Sequence, residues 1–230
     1  MEMPAASFDG AWARFQSRDA LILDGDWPAR ARGRAQQLAF TVRVEDPAAR
    51  GHLAGISERL AGIPGVDLIA DSSWHVTIKG AGFQVIKRVH EDDVLRQGVS
   101  HIADSARSII MEESAFDVQL GLANAFGDVA IVEVRDNGRL RRLNTRLVDG
   151  MPELHRYPID GDGYLPHVSV ASFSSNAGLD LLKVRLAELR SEAAGPSFPI
   201  RRLEFVKAWW IEGRPPEFDL LASYPLSSAR

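Results

Sequence analysis

Two tetrapeptides in this chain carry groups able to move protons. His75-Val76-Thr77-Ile78 and His167-Val168-Ser169-Val170 share one order: histidine, apolar, hydroxyl, apolar. Imidazole has an unperturbed pKa near 6.5, so around neutral pH one ring can take a proton while another gives one. Two such rings on either side of one reacting centre form an acid–base pair, each transfer being worth about 10²–10⁴-fold in rate. The hydroxyls of Thr77 and Ser169 can donate to oxygens on which negative charge builds. In a strand, positions i and i+2 face one side. His75 is therefore expected beside Thr77, and His167 beside Ser169. Val76, Ile78, Val168 and Val170 then point the other way, as apolar anchors for rigid strands.

Three neighbours extend this set. Lys79 lies at i+4 from His75, on the same face if the strand runs straight, where it can pair with a phosphate or stand in solvent. Tyr164 and Trp74 flank the motifs, as rings that can stack on a base or pack at the core rim. Other chemistry is poorly supported. His52, His90, His101 and His155 lack ligand spacing, and no HExxH, GxSxG or Walker A pattern occurs. Asp160-Gly161-Asp162-Gly163 resembles the start of a calcium loop, but Ala171 stands where the closing Glu is required. A turn before the second motif is the reading it supports.

The elements that must position the motifs follow from periodicity. Residues 37–44 (QLAFTVRV) read as a strand. Asp46-Pro47 starts a helix, with Leu53, Ile56 and Leu60 on its apolar face and Gly62, Pro64 and Gly65 ending it. Strands are expected over 66–70 and 74–79, a helix over 92–111 and a strand over 116–122. The second half reads as strand 129–134, helix 137–148, strand 165–173, helix 179–189 and a long strand 200–211, with a further edge strand over 217–224. Residues 1–36 form an N-terminal extension to which no function is assigned, with a short helix over 11–17.

The order strand, helix, His-bearing strand, helix, strand thus occurs twice, in residues 37–122 and again in 128–211. Phe40 precedes His75 by 35 positions, and Ile131 precedes His167 by 36. An internal repeat of this length points to an α+β fold of two similar lobes with antiparallel sheets and flanking helices. A pseudo-twofold axis would relate the lobes, and the groove between them is a natural site. One bilobal domain over 37–230 is expected.

On WHVTIKG (Trp74–Gly80) and LPHVSVASF (Leu165–Phe173) the chain resembles the 2H phosphoesterases, which are named for two H-x-[ST]-x motifs, one in each of two similar lobes. Many members carry an apolar residue where this chain has Lys79. The resemblance covers roughly residues 37–211 and implies both motifs lining a central groove. It also implies metal-independent cleavage of a phosphodiester, either a 2′,3′-cyclic or a 2′–5′ nucleotide or RNA-end phosphate. Opening such a phosphate needs a water deprotonated on one side of phosphorus and a leaving alkoxide protonated on the other. The paired histidines answer that need, and Thr77 and Ser169 would hold the non-bridging oxygens without a metal. The same pair serves the reverse reaction, 2′–5′ ligation. A binding module without turnover is the reading from another class, although binding alone does not need two proton-transfer groups.

Bulk properties fit this picture. The 230 residues are 45% apolar and 25% charged, enough for a sizeable core, and the net charge is −4 with a pI of about 5.9. A basic footprint for long nucleic acid is absent, whereas a small phosphate needs only local donors. There is no cysteine, which excludes disulfide scaffolds, thiolate metal sites and cysteine nucleophiles. No basic-then-apolar leader opens the chain and no run of about 18 apolar residues occurs, so a soluble cytoplasmic monomer without cofactor or membrane contact is expected.

Overall fold

The chain is seen here as a computed structural model that describes residues 6–23, 31–209 and 217–227. Its first half begins with helix α1 (Phe8–Gln16), strand β1 (Gln36–Arg43), helix α2 (Pro47–Leu60), and strands β2 (Val66–Leu68), β3 (His75–Val85) and β4 (Asp93–Leu95). Helix α3 (Val99–Ile110) and strand β5 (Phe116–Ala125) complete it. Strand β6 (Val129–Arg135), helix α4 (Arg139–Gly150), strand β7 (His167–Phe173) and helix α5 (Leu179–Arg190) follow. The chain closes with strands β8 (Ser197–Ile200), β9 (Arg202–Trp209) and β10 (Glu217–Pro225). Helix α2 starts as its residues dictate: the Asp46 carboxylate accepts from the Ala48 and Ala49 amides, and Pro47, with no N–H to lose, takes the first position.

All strands join one ten-stranded sheet in the order β10-β9-β1-β3-β7-β6-β5-β8, with β2 added to β7 and β4 to β3. The pairs are antiparallel except β3–β4. On one face Phe40, Val76, Ile78, Val168 and Val170 are fully buried in one core with Leu53 of α2 and Leu182 and Leu186 of α5. Phe40 stacks on Phe205 at 4.6 Å, worth about 0.5–1.5 kcal/mol beyond the area buried. The α+β class, the antiparallel pairing and the flanking helices are as expected. Among the described residues no helix is long and apolar enough to cross a membrane.

The halves of the sheet are not the halves of the sequence. β5, assigned with residues 37–122, pairs with β6 and β8 on the second side. β9, assigned with 128–211, pairs with β1 on the first, and β10 lies outside it at the sheet edge. The long strand expected over 200–211 is in fact β8 and β9, broken at Arg201, with residues 210 and 211 outside the described range. The break lets the two pieces take different partners, β8 pairing with β5 and β9 with β1. The helix expected over 92–111 starts only at Val99, because residues 93–95 are recruited to the edge of β3 and Asp93 is fixed by Arg34 and by the amides of Val89 and His90. The N-terminal extension is built into the fold where it is described. Phe15 is 1% exposed, and the carbonyl of Phe8 accepts from Asn124 on β5.

Both motif strands carry a β-bulge at the same place. Thr41 pairs with Thr77 and Phe40 with Lys79, leaving Ile78 as the extra residue of β3. Ile131 pairs with Ser169 and Ala130 with Ala171, leaving Val170 as the extra residue of β7. The burial sequence from each histidine onward is the same over seven residues: partial, buried, partial, buried, buried, partial, buried. The repeat therefore extends to a backbone irregularity. It also makes Thr41, rather than Phe40, the counterpart of Ile131.

Candidate active site

The two motif strands meet at one pair of residues, Val76 opposite Val168. Each valine directly follows its histidine, so antiparallel pairing sets His75 beside Ser169 and Thr77 beside His167. All four side chains leave the same face, opposite to the fully buried valines. The histidines are then diagonal neighbours across the pair, with backbones about 7–8 Å apart. Both histidines and both hydroxyls predicted from the sequence are thus brought together.

Each imidazole is oriented in the same way. His75 Nδ1 lies 2.7 Å from the Ser73 carbonyl, and His167 Nδ1 lies 2.7 Å from the Leu165 carbonyl. A carbonyl can only accept, so Nδ1 carries a proton in both rings and Nε2 is left for chemistry. His75 Nε2 is 3.0 Å from Thr77 Oγ1. His167 Nε2 makes no hydrogen bond to a described residue. Each ring also meets a phenylalanine edge-on: His75 meets Phe218 at 5.2 Å, and His167 meets Phe126 at 4.9 Å.

Burial holds both imidazoles below the ordinary value of 6.5, because a charged ring loses its hydration. The remaining influences differ. The charges of His167 and Arg43 push His75 further down, against the Ser73 carbonyl, which favours its charged form. At His167 the Leu165 carbonyl and the Asp128 carboxylate both favour the charged form. The pair is therefore electrostatically unequal.

The charges that differ between the two rings, Arg43 and Asp128, were passed over by sequence patterning. Arg43 stands directly opposite His75 on β1, and its Nε donates to Glu204 Oε2 at 2.9 Å. Glu133 holds the corresponding place opposite His167 on β6. It is 1% exposed and accepts from Asn124, Arg190 and Arg135. Thr41, Arg43, Ser73, His75, Val206 and Phe218 line a recess beside His75. The alternation in β1 could have placed Thr41 and Arg43 on the histidine face. Nothing local marks Phe218, Phe126 or Glu133, which arrive from strands or turns distant in sequence.

Three predicted site residues are not at the site. Lys79 was expected on the face of His75, but the bulge at Ile78 turns it to the opposite, helix-covered face, level with Phe40. There it is 2% exposed, and its Nζ donates to Asp160 Oδ2 and to the His155 carbonyl, each at 2.7 Å. Tyr164, 6% exposed, offers no open ring for a base, and its hydroxyl donates to the Thr77 carbonyl at 2.8 Å. Trp74 is 4% exposed with the Arg50 guanidinium 5.8 Å from its ring, so it walls the recess without presenting a stacking face. Asn144 on α4 adds a bond to the Ile78 carbonyl at 2.8 Å and one to Asp160 Oδ1 at 2.9 Å. Lys79–Asp160, Asn144 and Tyr164 together strap the segment before His167 onto the bulge after His75. With one backbone pair between the motif strands, these contacts hold the strands in place.

Comparison with known proteins agrees with this architecture. A family model described as the 2′-5′ RNA ligase superfamily matches residues 45–208. TT0787 of Thermus thermophilus is similar with a TM-score of 0.64 at 15% identity, over 84% of this chain and 100% of that one. Escherichia coli LigT complexed with 3′-AMP is similar with a TM-score of 0.59 at 14% identity, over 85% and 100%. ATU0111 of Agrobacterium tumefaciens, described as a conserved protein of unknown function, reaches 0.57 at 16% identity over 94% and 99%. No curated protein sequence matches the chain.

Proposed function

The chain belongs to the 2′-5′ RNA ligase superfamily, and on that premise we propose that it is a metal-independent phosphodiesterase acting on a 2′,3′-cyclic or 2′–5′ nucleotide phosphate. His75 and His167 are the acid–base pair, and Thr77 and Ser169 bind the non-bridging oxygens. The observation that carries this reading is the Val76–Val168 pair, which sets two imidazoles on one face with Nδ1 of each committed to a carbonyl, while Nε2 meets only the Thr77 hydroxyl in His75 and no described residue in His167. The 3′-AMP complex of LigT supports a nucleotide as the ligand class.

The charges favour one division of labour. His75, buried as His167 is but with the Arg43 charge opposing its protonation, is the ring assigned to take a proton from water. The water oxygen bonds to phosphorus, and the bond to the leaving ester oxygen breaks. His167, next to the Asp128 carboxylate, carries the proton that this oxygen receives. Reversing each step gives ligation with the same groups.

The test is hydrolysis of a panel of 2′,3′-cyclic and 2′–5′ phosphodiesters in EDTA. Turnover is expected without added metal, and His75→Ala and His167→Ala should each abolish it while the circular dichroism spectrum stays unchanged. Activity that appears only with a divalent cation would refute the mechanism. A single variant that keeps near-normal kcat would refute the pairing.

A further inference from the structure

Neither motif contains a permanent cation, yet the reaction proposed above places an anion between them. Arg43 stands opposite His75 in the β1–β3 ladder, so its side chain leaves the sheet on the face of the two imidazoles. Its Nε is committed to Glu204, and the Phe218 ring centre lies 6.0 Å from the guanidinium carbon. The two terminal nitrogens make no hydrogen bond to a described residue, and the side chain is 38% exposed in the wall of the recess beside His75. This is a guanidinium anchored at one corner, with its other donors presented.

The second half of the sheet has no equivalent. There the matching position holds Glu133, itself buried and already bonded to Arg190, Arg135 and Asn124. The feature belongs to one side of the pseudo-twofold and is not a consequence of the repeat.

We infer that Arg43 is a phosphate clamp, donating from its terminal nitrogens to a non-bridging oxygen of the phosphodiester held between His75 and His167. This inference rests on the phosphodiesterase reading and adds the residue that recognises the substrate's charge. Three arguments support it. Guanidinium presents planar paired donors that match phosphate oxygens, a geometry that ammonium lacks. The ion pair with Glu204 already restricts the side chain, so less freedom is lost on binding. Its charge also reaches His75, whose protonated form it disfavours, as expected of a guanidinium on that face of the sheet.

The experiment measures binding and turnover separately. Inorganic phosphate is titrated calorimetrically into the full chain at low salt, and 2′,3′-cyclic AMP is the substrate. Arg43→Gln is expected to weaken phosphate binding at least tenfold and to lower kcat/KM by about 10²–10³-fold, as for loss of one donor to developing charge. Arg43→Lys keeps the charge without the fork and should recover only part of both losses, and it also serves as the readable variant if Arg43→Gln does not fold. Arg59→Gln removes a half-buried cation on α2 that pairs with Glu188 and Glu192, away from the recess, and should leave phosphate affinity within about twofold. The clamp is overturned if the wild-type chain does not bind phosphate, if Arg43→Gln binds it within threefold of wild type, or if Arg59→Gln loses as much. A drop in turnover with unchanged phosphate affinity also overturns it, since Arg43 would then act only through His75. If wild type binds phosphate through Arg43 but cleaves no phosphodiester, the clamp stands and the hydrolase reading falls.

Discussion

Replacing Lys79 with methionine tests whether the strap between the two motifs is energetic as well as geometric. The Lys79 and Asp160 side chains are 1% and 3% exposed, so the change leaves a carboxylate in the interior without its cation. Removing one partner of a buried pair typically costs about 3–5 kcal/mol. Asp160 retains hydrogen bonds from the Tyr157 amide and from Asn144, which soften the loss, and the His155 carbonyl loses a donor. The balance is about 3 kcal/mol, which for a chain of this size lowers the thermal midpoint by about 6–12 °C. Circular dichroism melts at neutral pH would measure it. The double variant Lys79→Met/Asp160→Asn should regain part of the loss, because the amide leaves no unpaired charge and its oxygen still accepts from one of the two remaining donors, Asn144 and the Tyr157 amide. At 25 °C, below the transition, Lys79→Met should lower kcat more than it raises KM, since the histidine strands lose part of what spaces them. A midpoint change under 2 °C, or a double variant less stable than either single one, would refute the reasoning.

Burial depresses both imidazoles below 6.5, so kcat/KM for a cyclic nucleotide should be bell-shaped with both limbs under pH 6.5, and an optimum above pH 7.5 would contradict the assignment. The same shifts act on stability. Each folded-state pKa lies below the unfolded value, so the contribution is fully present above pH 6.5 and is lost as pH falls through the folded-state values. The urea midpoint should therefore drop between pH 7 and pH 5, and drop less in His75→Gln/His167→Gln. An equal drop in both proteins would show that other groups set the slope. Tyr164→Phe leaves the Thr77 carbonyl without its donor and should cost about 1–3 kcal/mol in urea unfolding, against no change if water takes the place of the hydroxyl.

Much of this could be read along the chain. The alternation in HVTI and HVSV placed each histidine with its hydroxyl, Asp46-Pro47 marked the start of α2, and the repeated order of elements foretold two related halves. These features depend on residues within a turn or a strand of one another, where side-chain periodicity and capping act directly. The fate of Lys79 was not legible, because one extra residue at Ile78 reverses the side on which every later side chain falls, and no local pattern signals a bulge. Nor was the exchange of β5 and β9 between the halves, since an apolar strand packs equally well beside any partner that covers it. Arg43 sits opposite His75, and Phe218 meets its ring, only because backbone hydrogen bonds bring β3, β1, β9 and β10 side by side. The chain determined where the two histidine motifs lie and which way their side chains alternate. Pairing between distant strands decided which charges surround them, because hydrogen-bond partners across a sheet are chosen by the packing of the whole molecule.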